Sequence, residues 1–529
     1  MRSVKMSKKI KISYKMFFTL AVIYLALPVA IFFLGYLKLV FGLIFSVLLI
    51  AAVFLAVRDC SRNPDGNKLD LKSDISFPLS FIIASVIFAF AVTITNGVGE
   101  YVWAPFDHAY RRAILNDLIN YKWPIIYDPA TQTNPEVIEI LNLQNNQGFV
   151  YYFTYWLPAA VIGKIFGFTA GNITLIIWNA LGIFLTLIGM CKYIRKASYG
   201  TLFMFLCFSG LDVIPYLINE IHPYDGWTWI EGWVPFVSFI SNFNNLENVY
   251  NQVIPCYLIV TLILLSKNNR SLGFIGGILF AYSPWATIGV LIPAVVRLFS
   301  KDLKAKEKKK SVLNIFTYNN LVIPVLMLFT FGAFYGAKSG ALHMKGFLWE
   351  FYDGNILKFI VVLILLFIIE VLPSFAFVLK GHKKDPMLWS AMAVLFILPF
   401  YFLSEGNNLV MRGTMPALFI LCIFMAQRIA EFTTEDEIIR NSNKKKRLGT
   451  KALLVRAAFS LVIIGMTYVT YFMVTVIYPM TFFTDERYTD SIVSFGNIAH
   501  NDADFVIVSQ DQFFVDKPED KFFFKYLAK

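Results

Sequence analysis

Charged residues are scarce in this chain of 529 residues. Asp, Glu, Lys and Arg together make up 16% of it and apolar residues 57%, whereas about a quarter of an ordinary globular chain is charged. So little polar surface cannot cover the several water-soluble domains that a chain of this length would otherwise form. The composition therefore excludes a soluble multidomain enzyme and an intrinsically disordered chain.

Short catalytic and metal-binding motifs are also missing. The sequence contains no GxGxxG, Walker loop, CxxC or HExxH pattern, which excludes the common nucleotide-binding and zinc signatures. The five cysteines are scattered singly and indicate neither a disulfide framework nor a metal site. They are Cys60, Cys191, Cys207, Cys256 and Cys422.

Long uncharged runs account for the missing charge. They recur in blocks of roughly 17–25 residues, the length at which a helix crosses a bilayer. The sequence predicts an all-α polytopic membrane protein with about 11–13 transmembrane helices. The predicted spans are Phe17–Leu37, Leu39–Val57, Phe77–Thr95, Ile173–Met190, Tyr199–Ile218, Val249–Ser266, Leu321–Tyr335, Ile356–Leu379, Met387–Leu403, Met415–Ala430 and Val455–Tyr478. We interpret Phe149–Phe168 as lying on or dipping into the outer face, and Leu272–Phe299 as a bent hairpin.

The net charge of +12 concentrates on one side of this topology. With the ambiguous segments so placed, the lysine- and arginine-rich stretches face the cytosol, as cytoplasmic loops of membrane proteins do. This orientation predicts a cytosolic N-terminus and an extracytoplasmic C-terminus. We divide the chain into an N-terminal tail and hairpin (1–76), a transmembrane core (77–430) with external loops 97–148 and 219–248, a basic loop and last helix (431–478), and an external tail (479–529).

The first external loop carries the clearest chemistry. Asp107 opens a predicted amphipathic helix that continues with His108, Arg111 and Arg112. A carboxylate there can accept the proton of a hydroxyl group, and arginine holds phosphate oxygens with two parallel bonds. The alternatives are that the arginines reach to lipid headgroups and that Asp107 only caps the helix.

The second external loop mixes acids with tryptophans, a combination that suits a carbohydrate acceptor. Its candidate residues are Glu220, His222, Asp225, Trp229 and Glu231. The alternative is an interfacial aromatic belt.

Three ionisable residues lie within or beside spans. Asp212 and Arg412 are predicted at outer ends of spans, where such residues usually mark a site or an internal partner. We expect Asp212 to contact the acceptor sugar and Arg412 to hold a lipid-linked phosphate. Glu370 lies within a span and is expected to be paired internally.

The stretch W-x-x-F-D-H-x-x-R-R-x-I-L-N-D-L-x-x-Y-x-W-P from Trp103 to Pro124 resembles the first external loop of bacterial integral-membrane glycosyltransferases of the GT-C superfamily. F-V-Y-Y-F-x-Y-W-L-P from Phe149, F-S-G-L-D from Phe208 and N-N-L-V-M-R-G-T-M-P from Asn407 are similar to later segments of such proteins, in the same order. The resemblance covers roughly residues 77–430, although here a hairpin precedes the span expected to come first.

This resemblance implies a GT-C-like fold and an enzyme in the cytoplasmic membrane of a bacterium. Its donor would be a polyprenyl-phosphate-linked sugar and its acceptor a glycan or lipid of the cell envelope. Asp107 would be the general base, with His108 orienting it or contacting the donor, and Arg111, Arg112 and Arg412 would bind the donor phosphate. Membrane lipids are expected partners and nucleic acid is not. No cofactor follows from the sequence; a divalent cation, Mg²⁺ or Mn²⁺, is the one candidate.

Two other functions share these features. A flippase or transporter of lipid-linked sugars would show inverted repeats and ionisable residues near the bilayer midplane. An oligosaccharide polymerase or ligase would use a finished glycan as its donor.

Overall fold

The computed structural model describes residues 8–69, 74–102, 107–128, 145–223, 230–338, 345–441, 449–479, 494–495 and 513–529, and these residues are mostly helical. The helices of the first half are α1 (Tyr14–Tyr36), α2 (Leu39–Asp59), α3 (Leu79–Thr95), α4 (Asp107–Asn120), α5 (Leu157–Phe166), α6 (Phe168–Ile194), α7 (Tyr199–Cys207), α8 (Val213–Ile221) and α9 (Asn242–Leu265). Those of the second half are α10 (Leu272–Gly277), α11 (Pro284–Leu298), α12 (Lys308–Leu313), α13 (Tyr318–Tyr335), α14 (Ile356–Leu366), α15 (Leu372–His382), α16 (Pro386–Ile397), α17 (Asn408–Gly413), α18 (Met415–Asn441), α19 (Thr450–Met466) and α20 (Tyr468–Phe472).

The prediction of a multi-pass helical membrane protein is confirmed. Seven helical segments of the described chain are long and apolar enough to cross a membrane, and α19 joins the helix Tyr468–Ile477 at a bend of 42°. Four shorter apolar helices accompany them. The seven are Tyr14–Tyr36, Leu39–Asp59, Phe168–Ile194, Asn242–Leu265, Lys308–Tyr335, Ile356–His382 and Asn408–Asp436. The total of about 11–13 crossings stays a prediction.

One predicted span is interrupted. Tyr199–Ile218 was expected to be continuous, but α7 ends at Cys207 and α8 begins at Val213. The backbone of the intervening residues forms hydrogen bonds with neighbouring segments instead. Leu211 N donates to Ile369 O (3.2 Å), and Phe208 O accepts from Asn242 N (2.9 Å). Tertiary contacts have therefore overridden an apolar pattern that favours one helix.

The two ends of the segment 149–168 lie on the same side of the helical body. Phe149 N donates to Ile125 O (3.1 Å), and the Lys164 ammonium donates to Ile119 O (3.0 Å) and Tyr121 O (2.6 Å). Both ends thus contact residues 119–125. The ten-residue helix α5 is about half the length that a transmembrane helix needs, so the segment dips into the protein and returns.

Short strands close the two ends of the helical body. Near the start of α1, β1 (Lys9–Lys11) pairs with β2 (Ser76–Pro78). At the opposite end, β3 (Ile126–Tyr127) and β7 (Phe514–Asp516) pair with β4 (Gln147–Phe149). A third pair joins β5 (Lys345–Phe347) to β6 (Tyr401–Leu403).

The two ends of α1 define two faces of the molecule. At its start, the Lys192 ammonium of α6 donates to Ile12 O and to Asp74 (2.7 Å), and we name this end the basic face. At its far end, Lys38 N donates to Leu527 O of the C-terminal tail (2.8 Å). We name that end, which also carries β3, β4 and β7, the loop face. The first and last described residues therefore lie at opposite ends of a helix of 23 residues.

Candidate functional site

A cavity of about 630 Å³ brings four separate segments together. The start of α4 supplies one wall, the loop 230–241 a second, the first turns of α9 a third, and the turn 404–412 with α17 the fourth. Its lining residues are Asp107, Gly232, Val234, Pro235, Phe236, Ser238, Ile240, Asn244, Asn248, Gly406, Met411 and Arg412. Two of the predicted site residues, Asp107 and Arg412, thus line one cavity.

Asp107 is the accessible carboxylate of this cavity. It is the first residue of α4, and its side chain is 49% exposed while that of Arg111 is 8% exposed. Arg111 Nη2 donates to Asp107 Oδ2 (3.2 Å), and its guanidinium lies 5.6 Å from the centre of the Tyr250 ring. Arg111 Nη1 is buried and has no hydrogen-bond partner within the described part of the chain. One donor of this arginine is therefore unsatisfied within the described part of the chain.

His108 faces away from the cavity. Its Nε2 lies 2.8 Å from Glu247 O on α9, and the side chain is buried. Burial, with the positive charge of Arg111 as a second cause, lowers the pKa of His108 to about 3. The imidazole is therefore neutral near pH 7 and anchors α4 to α9, which holds the neighbouring Asp107 at the cavity wall.

Asp117 fixes the other end of α4. Its carboxylate accepts hydrogen bonds from the Tyr127 hydroxyl (2.7 Å) and from Phe495 N (2.9 Å). Burial raises the pKa of Asp117 to about 6, and these hydrogen bonds act in the opposite direction. The sequence analysis did not single out Asp117, because it lies on the buried side of the amphipathic helix.

Arg112 does not join Asp107 at the cavity. Its Nη1 lies 3.3 Å from Glu100 Oε2, and its guanidinium lies 5.9 Å from the centre of the Phe168 ring. A helix turns about 100° per residue, so adjacent arginines point in different directions. Of the three predicted phosphate-binding arginines, Arg111 contacts Asp107 and Arg412 lines the cavity.

Arg412 is held by a strained turn. Ser404, Asn407 and Gly406 have φ angles of 70°, 56° and 61°, in a region that residues other than glycine rarely adopt. Asn407 is buried, and its Nδ2 donates to Phe236 O (2.8 Å). Phe236 itself has a φ of 65°. Strained backbone of this kind clusters at ligand sites, and here it lies on two walls of one cavity.

The first turns of α9 supply amides that the sequence analysis missed. The span was predicted from Val249, where the helix has a kink (φ −145°, ψ 43°), and a further helical segment precedes this kink from Asn242, where the Ser241 hydroxyl caps it. Asn244 and Asn248 line the cavity. Asn245 Oδ1 accepts a long hydrogen bond (3.4 Å) from Arg412 Nη1. Five asparagines and a glutamine within N-F-N-N-L-E-N-V-Y-N-Q, next to an apolar run, were the available signal.

Those predicted acceptor-binding residues that the structure describes lie in separate places. Glu231 is buried behind the cavity, where Ser241 N donates to it (2.6 Å) and Asn244 Nδ2 also donates to it. Burial raises the pKa of Glu231 to about 8, with the negative charge of Asp212 as a second cause. Glu220 and His222 are exposed near the end of α8 and do not line the cavity. Asp225 and Trp229 lie outside the described residues.

A divalent cation finds no ligand set in the described part of the chain. No group of three or more His, Cys, Asp or Glu side chains there is placed to hold a metal ion. The described residues therefore do not fit the Mg²⁺ or Mn²⁺ that the sequence left open.

No family model, curated protein or solved structure matches this chain. Its function therefore has to be inferred from the chemistry of the cavity and from the motif resemblance described above.

Proposed function

We propose that this protein is a membrane glycosyltransferase of GT-C type that moves a sugar from a polyprenyl-phosphate carrier to an acceptor of the cell envelope. The observation that carries the proposal is the half-exposed carboxylate of Asp107 in one cavity with Arg412. Arg111 contacts that carboxylate, and its Nη1 has no hydrogen-bond partner among the described residues. A base for a hydroxyl and cations for a phosphate are the groups that this transfer needs.

In the proposed reaction, Asp107 accepts the proton of the acceptor hydroxyl as its oxygen attacks the anomeric carbon of the sugar. The bond between that carbon and the phosphate oxygen breaks, and polyprenyl phosphate leaves with the bonding electrons. Arg111 and Arg412 stabilise the negative charge that builds up on the leaving phosphate. Because Arg111 also pairs with Asp107, it holds the base at the cavity wall in the resting protein.

The remaining cavity walls suit a sugar. Asn244, Asn248 and Ser238 offer amide and hydroxyl groups, and Val234, Phe236 and Met411 offer apolar surface. A volume of about 630 Å³ falls within the range of roughly 300–1,000 Å³ that is usual for small-molecule sites. The cavity can therefore hold a sugar and its phosphate, with the polyprenyl chain extending along the apolar protein surface.

We also propose an orientation. The basic face carries the lysines of residues 301–310 and would lie in the cytosol, following the positive-inside rule. The cavity, one wall of which is the start of α4, would then open on the side of the loop face. This side would lie outside the cytosol, where envelope acceptors are found.

A transporter of lipid-linked sugars is the second candidate. The observation that favours it is the buried pair Asp212 and Glu370, because ionisable residues at membrane depth often mark a transport pathway. A transporter would move the lipid-linked sugar across the bilayer without breaking the sugar–phosphate bond.

The deciding experiment uses purified protein in nanodiscs, a panel of polyprenyl-phosphate sugars and a cell-envelope extract that supplies acceptor hydroxyl groups, with released polyprenyl phosphate measured by mass spectrometry. We expect release from one donor, reduced about 10²–10⁴-fold in Asp107→Asn. The control is Asp520→Asn, which changes an exposed aspartate of the C-terminal tail and should release at the wild-type rate. Absence of release from every donor in folded protein, with transbilayer movement of the lipid-linked sugar, would support the transporter instead.

A further inference from the structure

Two irregular stretches of backbone meet inside the helical body. One is the break at 208–212 between α7 and α8, and the other is the single π-helical turn Phe367–Val371 between α14 and α15. They are joined where Leu211 N donates to Ile369 O. A methyl group at Gly210 would overlap Glu370 Oε2, so the side chain of Glu370 lies directly against the break. Helix breaks and π-turns within spans are frequent at functional sites.

Each stretch places one carboxyl group at this junction. Asp212 and Glu370 are 1% and 3% exposed. The Ser209 hydroxyl donates to Asp212 Oδ2 (2.8 Å), and Trp233 Nε1 donates to Glu370 Oε1 (2.8 Å). The other two oxygens, Asp212 Oδ1 and Glu370 Oε2, are buried without a donor among the residues that the structure describes. The two carboxyl groups are within hydrogen-bonding contact of each other.

Among the residues that the structure describes, no positive charge is one of the strongest influences on the pair. The charged groups that act on it most strongly are its own two members and Glu231 of the loop 230–241. On the side of α7, the thiol of Cys207 bonds Thr470. On the side of α19, Leu211 contacts Gly465. Two ionised carboxylates in such a place would repel each other strongly.

We propose that Asp212 and Glu370 together bind one proton, as a carboxylic acid that donates its hydrogen bond to the partner carboxylate. The shared proton satisfies Asp212 Oδ1 and Glu370 Oε2 at once and leaves the pair with a single negative charge. Ser209 and Trp233 donate to the two remaining oxygens. A divalent cation is the alternative ligand, but the described residues form no group that could hold one.

The proton site has a consequence for the cavity. Glu231, which neighbours the pair, accepts a hydrogen bond from the cavity-lining Asn244. Loss of the proton would add a negative charge behind this wall and push the break away from the π-turn. The folded protein would hold a proton that the unfolded chain has released near pH 7, so its stability falls as pH rises. This proposal does not depend on the glycosyltransferase proposal.

Infrared spectroscopy of the protein in nanodiscs tests the site directly, through the C=O absorption of protonated carboxyl groups near pH 7. We expect Asp212→Asn and Glu370→Gln each to lose the absorption of one carboxylic acid per chain. Glu231→Gln separates the signal of Glu231 from that of the pair, and Glu307→Gln, which changes an exposed glutamate, should leave the spectrum unchanged. An unchanged spectrum in both pair variants would overturn the proposal, as would loss of the wild-type absorption on adding Mg²⁺ or Mn²⁺.

Thermal unfolding keeps the proposal testable where a single variant folds poorly. We expect the midpoint of wild-type unfolding to fall as the pH is raised from about 6 to about 9. The double variant Asp212→Asn with Glu370→Gln keeps a hydrogen bond between two amides that needs no shared proton, and its midpoint should depend less on pH. The same pH dependence in both proteins would overturn the proposal.

Discussion

The carboxylate at the cavity and the buried carboxyl pair have different surroundings. Asp107 is half exposed at a cavity and pairs with Arg111, whereas Asp212 and Glu370 are buried against each other. A carboxylate that has solvent access and a cationic partner can accept a proton from a substrate. One that has neither keeps a proton of its own. Access and counter-charge are therefore the reasons for proposing the first as a catalytic base and the second as a proton site.

Apart from the loss of Asp107 itself, removing the counter-charge of the cavity should have the largest effect. In Arg412→Gln, the leaving phosphate loses a cation, and we expect the release of polyprenyl phosphate to fall about 10²–10³-fold. Arg112→Gln is the matched control, because Arg112 pairs with Glu100 and does not line the cavity, and it should cost much less. Equal losses in the two variants would mean that the arginines act through folding or lipid contact.

Crowding the carboxyl pair should destabilise the protein without touching the cavity. Gly210→Ala places a methyl group against Glu370, and overpacking of this kind costs about 1–3 kcal/mol. Gly381→Ala, at a helical glycine with no atom within 4 Å of an added Cβ, should leave the unfolding midpoint unchanged. If both variants melt together with the wild type, Glu370 does not lie where the structure places it.

Asp117 is a third case for comparison, because it is buried like the carboxyl pair but accepts several hydrogen bonds. Its pKa of about 6 in the folded protein lies above the ordinary value of 3.8. Between these pH values the folded chain keeps a proton that the unfolded chain loses. The contribution of Asp117 to the free energy of unfolding is therefore complete below pH 4 and is lost as pH rises to 6. Asp117→Asn should remove this part of the pH dependence, about 3 kcal/mol. The measurement is thermal unfolding between about pH 4 and 7, and an unaltered pH profile in the variant would contradict the account.

Hydropathy predicts most of the architecture, because a bilayer imposes one requirement on every span. It fails at 199–218, where Phe208–Leu211 is apolar enough for a helix but gives its backbone bonds to Asn242 and Ile369. It also misses the helical turns of α9 that precede the kink at Val249. There, asparagines are typical of a loop, and their burial against other helices is visible only in three dimensions.

The candidate site was predictable where helix geometry fixes direction locally. The spacing of Asp107 and Arg111 places them on one face of α4, and the structure joins them. The pairing of Arg112 with Glu100 and the burial of Glu231 depend on other segments. Glu370 was expected to have an internal partner, but that the partner is Asp212 follows only from the meeting of the break with the π-turn.

The most direct test of the proposed function is a single-turnover measurement on protein preloaded with its sugar donor. Acceptor is added, and the rate of sugar transfer is compared between wild type and Asp107→Asn, with donor affinity measured separately. The account predicts a rate about 10²–10⁴-fold lower in the variant with nearly unchanged donor affinity, because Arg111 and Arg412 remain. Transfer at the wild-type rate in folded Asp107→Asn would contradict it.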